Sequence, residues 1–436
     1  MLQKRTRIAL ISTHGYVATD PPLGAEDTGG QVVYILELSK KLAQLGYKVD
    51  ILTRKFLNQP ATERVASNVR IVRFPCGGKE FIAKEYLYQS IPEWCNHALR
   101  WIKKEKIQYK FINSHYWDAG LAGTTLAQQL AIPHLHTPHS IGSWKRKQME
   151  QDNPEEKEQF ESRYNFSERI RYEQQIFQDC NLVIATSPDQ WKIIQEDYSI
   201  HQEKVDIIPP GYDDNRFYPV SEASRLVIRH RLGFKKLTVL AIGRLARNKG
   251  YDLLIKAFAV TAKLLPEASL MLAVGGSNLT SAEQEYLDAL KKLVVDLQLE
   301  KVVTWSGYVD DDDLPDWYRA ADVFALSSRY EPFGMTTIEA MACGSAAVIS
   351  TNGGLWPTMT FGVHAIYADS FNSEEFGVAL YQALKYERLR NRLGQMGGQK
   401  VRSLFTWTGI AQQIIQKIEA RKLPNYLLEE SYWQLE

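Results

Sequence analysis

Short apolar runs alternate with longer amphipathic stretches along the chain, and this alternation occurs twice. The apolar runs of the first half are residues 8–11, 49–52, 71–74, 111–113 and 182–185, and those of the second half are 237–242, 270–274, 302–305, 323–326 and 346–349. Strands that are separated by helices form parallel sheets with helices on both faces. The pattern therefore predicts an α/β protein with two doubly wound parallel sheets.

A turn-rich segment separates the two halves. Pro209, Pro210 and Gly211 interrupt regular structure there, because two prolines and a glycine disfavour both helix and strand. We predict a first domain over residues 1–218, a second over 219–407, and a C-terminal helix with its tail over 408–436.

The segment 329–344 carries two carboxylates around a tight turn. Glu331 and Glu339 lie eight residues apart, and a Pro-Phe-Gly turn precedes a helix predicted over 335–342. The first N–H groups of a helix have no partner within it, and the helix dipole is positive at that end, so an anion would bind there. We expect Glu331 to face a sugar and Glu339 to reach neutral hydroxyl groups.

Two basic side chains follow the first strand of the second half. Arg244 and Lys249 come after the apolar run 237–242, at the carboxyl end of a predicted strand, where ligands of open α/β sheets bind. The planar guanidinium can pair with diphosphate oxygens, and the ammonium adds a compact positive charge. Together they could neutralise a diphosphate leaving group.

Composition and charge exclude several classes of protein. The chain has 436 residues, 44% of them hydrophobic, and a formal net charge of +1, which is no signal for a polyanionic partner such as nucleic acid. No apolar run reaches the length of a membrane span, and the N-terminus leads into a short strand, so we expect a cytoplasmic protein that does not bind membranes. The four cysteines lack metal-site spacing, which favours reduced thiols.

Four consecutive acids, residues 310–313, could be taken for a magnesium site. They directly precede a predicted helix with Pro315 near its start, so Asp313 is interpreted as its N-cap and the other acids as favoured by the helix dipole. We expect no metal site there.

The segments at 241–250 and 329–344 together resemble those of the retaining GT-B glycosyltransferases, the nucleotide-sugar family that includes sucrose-phosphate synthases, sucrose synthases and glycogen synthases. The resemblance covers almost the whole chain and is closest to the sucrose-phosphate synthases. It implies two Rossmann-like domains that face each other across a cleft, with a C-terminal helix crossing back to the first domain. The implied donor-binding residues are Gly30, Arg244, Lys249, Gly307, Tyr308, Val309, Glu331, Phe333, Gly334, Met335, Thr336 and Glu339.

The resemblance also implies an acceptor site in the first domain. Gly29 and Gly30 precede a helix, where missing side chains let the backbone approach a ligand. Basic residues from three separate segments match positions that hold a sugar phosphate, which favours fructose 6-phosphate over fructose as the acceptor. Glu168, however, stands where the family often has another basic residue. The implied acceptor-binding residues are Gly29, Gly30, Gln31, Lys84, Tyr116, Asp118, Lys145 and Arg169.

His139 follows Pro138 and has two interpretations, a structural histidine or a substrate contact. In the resembled family the matching histidine approaches the 6-hydroxyl of the transferred glucose. We therefore expect His139 to contact the transition state and not to act as a general base, and the implied catalytic residues are His139, Arg244, Lys249 and Glu331.

The leading hypothesis is a sucrose-phosphate synthase that transfers glucose from UDP-glucose, or another nucleotide diphosphate glucose, to fructose 6-phosphate. Mannosylfructose-phosphate synthase and sucrose synthase remain alternatives, and a catalytically silent sugar-nucleotide binding protein is the alternative of another class. The expected mechanism has no protein nucleophile, since Glu331 has no obvious partner carboxylate. No cofactor and no metal are expected, and a separate sucrose-phosphate phosphatase would act downstream.

Overall fold

The computed structural model describes residues 6–21, 30–276 and 279–421. The first eight strands are β1 Arg7–Ile11, β2 Lys48–Lys55, β3 Thr62–Ala66, β4 Val69–Pro75, β5 Ile112–His115, β6 His134–Thr137, β7 Leu182–Ala185 and β8 Val205–Ile207. The helices of the same region are α1 Gly30–Gln44, α2 Ile91–Lys104, α3 Trp117–Leu130, α4 Gly142–Asp152, α5 Lys157–Tyr164, α6 Phe166–Asp179 and α7 Pro188–Tyr198.

The second region begins with helix α8. Its strands are β9 Thr238–Gly243, β10 Ser269–Val274, β11 Val303–Trp305, β12 Val323–Leu326, β13 Ala346–Ser350 and β14 Ile366–Ala368. Its helices are α8 Glu222–Arg231, α9 Tyr251–Leu264, α10 Ser281–Asp296, α11 Leu314–Ala320, α12 Met335–Ala342, α13 Ser373–Lys385, α14 Glu387–Leu404 and α15 Trp407–Ala420.

Two separate sheets result, which confirms the predicted fold class. The first has the order β3-β4-β2-β1-β5-β6-β7-β8 and is parallel except for the antiparallel pair β3 and β4; the second has the order β11-β10-β9-β12-β13-β14 and is parallel throughout. The strand order reverses beside β1 in the first sheet and beside β9 in the second. Loops at the carboxyl ends of the strands next to such a point are where ligands bind in open α/β sheets.

All ten strands that the apolar runs predicted are present, and four further strands, β3, β6, β8 and β14, were missed. Strand β6 shows why. It alternates two buried histidines, His134 and His136, whose rings form hydrogen bonds of 2.7 and 2.8 Å with Ser114 Oγ on the neighbouring strand. A strand whose buried polar groups satisfy one another has no apolar run to reveal it.

The C-terminal helix crosses back to the first sheet, as the resemblance implied. The side chains of Trp407, Ile410 and Ile414 on α15 lie in the same hydrophobic core as Ile8 of β1 and Ile35 of α1. The helix begins one residue earlier than predicted, and its N-cap is Thr406, whose Oγ accepts a hydrogen bond from the Gly409 amide. The tail 422–436 lies outside the described residues, and the domain limits at 218 and 407 remain predictions.

The four cysteines are free and buried, so no disulfide constrains the described fold. Across the ranges given above, no helix has both the length and the apolar character that crossing a bilayer requires.

Candidate active site between the two sheets

The start of α12, where the sequence predicts an anion site, is set by a glycine turn. Gly334 caps this helix with a φ of 108°, a conformation that disfavours any residue with a Cβ. A Cβ at that position would also lie 3.0 Å from Leu326 Cδ2 at the end of β12. The turn therefore needs glycine, and the N–H groups of Met335 and Thr336 that follow it lie in the first turn of the helix, where no partner within the helix is available.

Lys249 and Glu331 form an ion pair at the carboxyl ends of β9 and β12. Lys249 Nζ lies 2.5 Å from Glu331 Oε2, and both side chains are largely buried. The backbone of Glu331 is held by its neighbours, since its N–H donates to the Asn352 carbonyl and its carbonyl accepts from the Gly354 amide. The sequence predicts no second carboxylate beside Glu331. In the structure the partner of Glu331 is a cation, the Lys249 ammonium.

Arg244 lies on the same β9–α9 loop, directly after β9. Its side chain is half-buried and forms no hydrogen bond or ion pair with the rest of the described chain. A cation at the end of a parallel strand, beside the Lys249–Glu331 pair, is available to an anionic ligand.

Glu339 lies one turn into α12 and is half-buried. Its Oε2 accepts a hydrogen bond of 3.1 Å from the Tyr318 hydroxyl. Burial raises the pKa of Glu339 to about 8, and the negative charge of Asp311 adds to the rise, while the Tyr318 hydrogen bond and Arg216 oppose it. At neutral pH the carboxyl group is therefore mostly protonated and can donate a hydrogen bond to a hydroxyl.

The remaining predicted donor residues fall into two places. Gly307, Tyr308 and Val309 lie on the half-buried loop after β11, where Gly307 has a φ of 73°. Phe333 is buried, and its ring packs edge-on against Phe405 at 5.5 Å, so its side chain belongs to the core of the second sheet. The predicted donor contact of Phe333 would therefore have to come from its backbone.

The run of acids is a short turn that precedes α11. Residues Asp311–Asp313 form one turn of 3-10 helix, and Asp313 is the N-cap residue of α11 as predicted, although its side chain makes no capping hydrogen bond. The preceding 3-10 turn already leads the chain into α11. Asp311 instead pairs with Arg216 at 2.8 Å, and no group of potential metal ligands occurs in the part of the chain that the structure describes.

The start of α1 faces the start of α12. A Cβ added at Gly30 would lie 3.2 Å from Met335 Sδ, so the first residues of the two helices are in contact. The Gln31 amide donates hydrogen bonds to Ser12 Oγ and to the His115 carbonyl, which holds the α1 terminus against β1 and β5. Gly29 lies outside the described residues. Two positive helix ends therefore border the same gap between the domains.

Arg169 is buried and fully engaged inside the first domain. Its Nε lies 2.8 Å from Glu173 Oε1, one terminal nitrogen donates to the Tyr116 hydroxyl at 2.9 Å, and the other donates to the Ser140 carbonyl at 2.8 Å. The sequence prediction placed this guanidinium on an acceptor phosphate. In the structure it supports the two loops that carry Tyr116 and His139, and a direct contact with substrate remains a prediction.

Asp118 is likewise a supporting residue in the structure. Its carboxylate is fully buried and accepts hydrogen bonds from His14 Nδ1 at 2.9 Å and Thr13 Oγ1 at 2.6 Å. The His14 ring in turn packs edge-on against Tyr116 at 4.7 Å. The sequence did not single out His14, although its position at the end of β1 and opposite an acidic residue after β5 was a usable signal.

The structure brings the three basic segments together. Asn165 donates a hydrogen bond of 3.1 Å to the carbonyl of Glu85, the neighbour of Lys84, and the Lys145 ammonium lies 4.5 Å from the ring centroid of Tyr164. Burial raises the pKa of Tyr116, and the positive charges of Arg169 and Lys84 oppose that rise, so both cations lie near this ring. A patch of three basic side chains therefore borders the first-domain side of the gap, and two of them are paired with acids, Lys84 with Glu85 at 3.5 Å and Arg169 with Glu173.

His139 lies on the same first-domain side of the gap and has an unusual backbone conformation. Its φ is 58°, which a residue with a Cβ rarely adopts and which is typical of strained functional positions. The ring is half-buried, packs edge-on against Tyr34 at 4.8 Å, and its Nε2 lies 2.9 Å from His115 Nδ1. Burial lowers the pKa of His139 to about 3, so the ring is neutral at physiological pH.

Contacts across the gap hold the two domains against each other. The Tyr330 hydroxyl lies 3.1 Å from Ser140 Oγ, and its ring meets Trp144 edge-on at 4.8 Å. Arg329 bridges the domains, with 2.6 Å to Asp152 of α4 and 2.8 Å to Asp252 of α9. The segment that carries Glu331 is therefore fixed from both sides.

Comparisons with known proteins agree with this geometry. Residues 225–400 match the sequence profile of the glycosyl transferases group 1, and residues 28–216 match that of glycosyltransferase family 4. The chain is 57% identical over 431 residues to the mannosylfructose-phosphate synthase of Agrobacterium fabrum, covering 99% of this chain and 95% of that protein. It is 30% identical to a probable sucrose-phosphate synthase of Thermosipho melanesiensis, covering 90% and 91% of the two chains.

The fold is also similar to that of a solved structure. The sucrose-phosphate synthase of Thermosynechococcus elongatus superposes with a TM-score of 0.83 at 30% identity, covering 96% of this chain and 99% of that one. The fold and the arrangement of two facing sheets are therefore shared with enzymes of known architecture.

Proposed function

The chain belongs to the GT-B glycosyltransferases with a group 1 domain, and within that family we propose that it transfers a hexosyl group from a nucleotide diphosphate sugar to fructose 6-phosphate. The observation that carries the proposal is the pair of binding faces across one gap. The α12 terminus with Arg244 and Lys249 suits a diphosphate, and the patch around Lys84 and Lys145 suits a sugar phosphate.

The transferred sugar is mannose in our proposal. The relative at 57% identity is a mannosylfructose-phosphate synthase, whereas the sucrose-phosphate synthases that match do so at 30%. This reverses the order of the two hypotheses that the sequence motifs suggested. Glucose remains the second candidate, because the structure with a TM-score of 0.83 is that of a sucrose-phosphate synthase.

The reaction is driven by charge placement around the leaving group. As the bond from the hexose C1 to the diphosphate oxygen breaks, negative charge develops on that oxygen, next to Arg244, Lys249 and the α12 terminus. Groups that bind this charge more strongly in the transition state than in the ground state accelerate the step. When the diphosphate binds, it competes with Glu331 for the Lys249 ammonium, which leaves the carboxylate free to orient the sugar.

No side chain needs to act as a nucleophile. A retaining glycosidase places two carboxylates about 5 Å apart around the scissile bond; here Glu331 is paired with a cation and Glu339 is mostly protonated. The fructose 2-hydroxyl attacks C1 from the face that the diphosphate leaves. The new bond joins that oxygen to C1, the diphosphate takes the electron pair of the broken bond, and the hydroxyl proton passes to a phosphate oxygen.

We propose that this site binds the diphosphate without a metal, although Glu331 offsets part of its positive charge. Arg244 and Lys249 provide the positive charge that a cation would bring to the diphosphate, so we propose that transfer continues after chelation with EDTA. A product that keeps the fructose phosphate would be the substrate of a separate phosphatase.

A donor and acceptor panel tests the proposal. The protein is incubated with GDP-mannose, UDP-glucose, ADP-glucose and GDP-glucose, each with fructose 6-phosphate and with fructose, and nucleotide release and disaccharide formation are followed. We expect turnover with a mannosyl donor and fructose 6-phosphate. Preference for a glucosyl donor would support the second candidate, and turnover only with free fructose would contradict the acceptor assignment.

Two variants of one loop locate the donor site. Arg244→Ala should lower kcat/KM by about 100-fold or more, the order found when a donor to the transition-state charge is removed. Arg247→Ala is the matched control, since Arg247 is exposed on the same loop and stacks over the Tyr286 ring at 5.7 Å. Equal activity of the two variants would contradict the proposed role of Arg244 in donor binding.

A further inference from the structure

The histidine pair at the ends of β5 and β6 points to a role for His115, which the proposed transfer has not used so far. His115 is the last residue of β5 and is fully buried, and His139 lies two residues beyond the end of the neighbouring strand β6. His115 Nδ1 and His139 Nε2 are 2.9 Å apart, the distance of a hydrogen bond. One of the two nitrogens must therefore carry a proton and the other must accept it.

Both rings are neutral at physiological pH. Burial lowers the pKa of His115 well below its ordinary value, and the neighbouring His139 and His136 lower it further. Burial likewise lowers the pKa of His139. Each neutral ring carries one N–H and one bare nitrogen, so the proton between the rings decides the tautomer of both.

The surroundings of His115 favour one of the two arrangements. Its other nitrogen, Nε2, is buried and has no hydrogen-bond partner within the described residues. If His115 Nδ1 were the acceptor, this Nε2 would hold a buried N–H with nothing to receive it. Buried donors without a partner are rarer than buried acceptors without one, so the proton belongs on His115 Nδ1.

The tautomer of His139 follows from that of His115. Its Nε2 accepts the hydrogen bond, so its own proton is on Nδ1, which makes no hydrogen bond within the described structure. The ring and backbone are held in place, because Tyr34 packs edge-on against the ring and the Gln190 amide donates to the His139 carbonyl at 3.2 Å. His139 thus presents a fixed N–H to the gap between the domains.

We propose that His115 is a positioning residue that sets the tautomer of His139, so that His139 Nδ1–H donates a hydrogen bond to a hydroxyl group of the transferred sugar. The inference rests on the proposed hexosyl transfer, but the tautomer itself is a property of the free enzyme. In this role His139 cannot act as a base, since the nitrogen on the substrate side already holds a proton.

Nitrogen NMR of the free protein tests the tautomer without any substrate. The chain has nine histidines, so labelled histidine gives a small set of ring systems, and the His139→Gln variant assigns the one of interest. We expect a protonated Nδ1 and a bare Nε2 for His139 at neutral pH. A protonated Nε2 on His139 would overturn the proposal whatever sugar the enzyme transfers.

Two variants of nearly equal size test the consequence for transfer. His115→Asn keeps an amide donor near the position of Nδ1, whereas His115→Asp presents only acceptor oxygens and should move the proton of His139 to Nε2. We expect the Asp variant to lose about 50-fold in kcat relative to the Asn variant, the order of leaving a buried polar group without its partner. Thermal unfolding checks that both variants fold.

The pattern of kinetic change separates positioning from a structural role. A loss of packing would affect both variants alike and would lower stability together with activity. Equal activity of His115→Asn and His115→Asp, or equal losses in both, would refute the assignment.

Discussion

Replacing Glu339 with glutamine should change how the stability of the protein depends on pH. The carboxyl group is half-buried on α12, and burial raises its pKa from 4.5 to about 8. Between these two values the folded protein binds a proton that the unfolded chain releases. Because the folded state then holds more protons than the unfolded state, the free energy of unfolding falls as the pH rises.

The size of the effect follows from the shift. A difference of about 3.5 pH units at 1.36 kcal/mol per unit is roughly 5 kcal/mol, which is the upper limit of the stability lost between pH 4.5 and about pH 8. The contribution is fully present below pH 4.5 and is lost as the pH rises through that window. Glutamine keeps the size of the side chain and the ability to accept from Tyr318 but does not titrate, so Glu339→Gln should lack this slope.

Urea unfolding at three pH values across the window measures the slope. The free energy of unfolding of the unchanged protein, minus that of Glu339→Gln, should fall steadily from about pH 5 to about pH 8. Glu300→Gln serves as the control, because Glu300 is exposed, and its difference should stay level. If the Glu339 difference is also level within about 1 kcal/mol, the carboxyl group is not buried in a protonated form and the reasoning fails.

Three further predictions concern charged groups in the gap and in the first domain beside it. Lys249→Met should lower kcat/KM for transfer by about 100-fold or more. Because Lys249 and Glu331 are paired, the double variant with Glu331→Gln should lose less activity than the two single losses combined. A double-mutant cycle measures this coupling, and strict additivity would contradict it. Arg169→Met should lower the free energy of unfolding by about 3–5 kcal/mol, because Glu173 would remain buried without its partner. Chemical denaturation measures this loss, and a loss below about 1 kcal/mol would argue against a structural role for Arg169. Lys145→Ala should raise the KM for fructose 6-phosphate far more than that for the nucleotide sugar, and equal increases in steady-state assays would remove it from the acceptor site.

Local patterns along the chain were enough to predict the two sheets and the turn that precedes α12. A strand buried on both faces is an apolar run, and a tight turn before a helix needs glycine, so β9, β12 and Gly334 are visible in the sequence itself. The same is true of Arg244, which directly follows β9, and of Lys249, which lies on the loop that leads from β9 to α9.

The sequence could not show which polar groups pair with one another, because pairing depends on contacts between distant segments. Arg169 was predicted to meet a phosphate, yet the fold surrounds it with Glu173, Tyr116 and Ser140. Glu331 was predicted without a partner carboxylate, and its neighbour proved to be the ammonium of Lys249, 82 residues away in the chain.

The tertiary structure also decided the protonation state of the site. The raised pKa of Glu339 and the lowered pKa of His139 arise from burial, which no local pattern reports. Residue types and their order along the chain thus determined the fold and where the charges are carried. Only the packing of the two domains determined which of those charges are neutralised within the protein and which remain for a substrate.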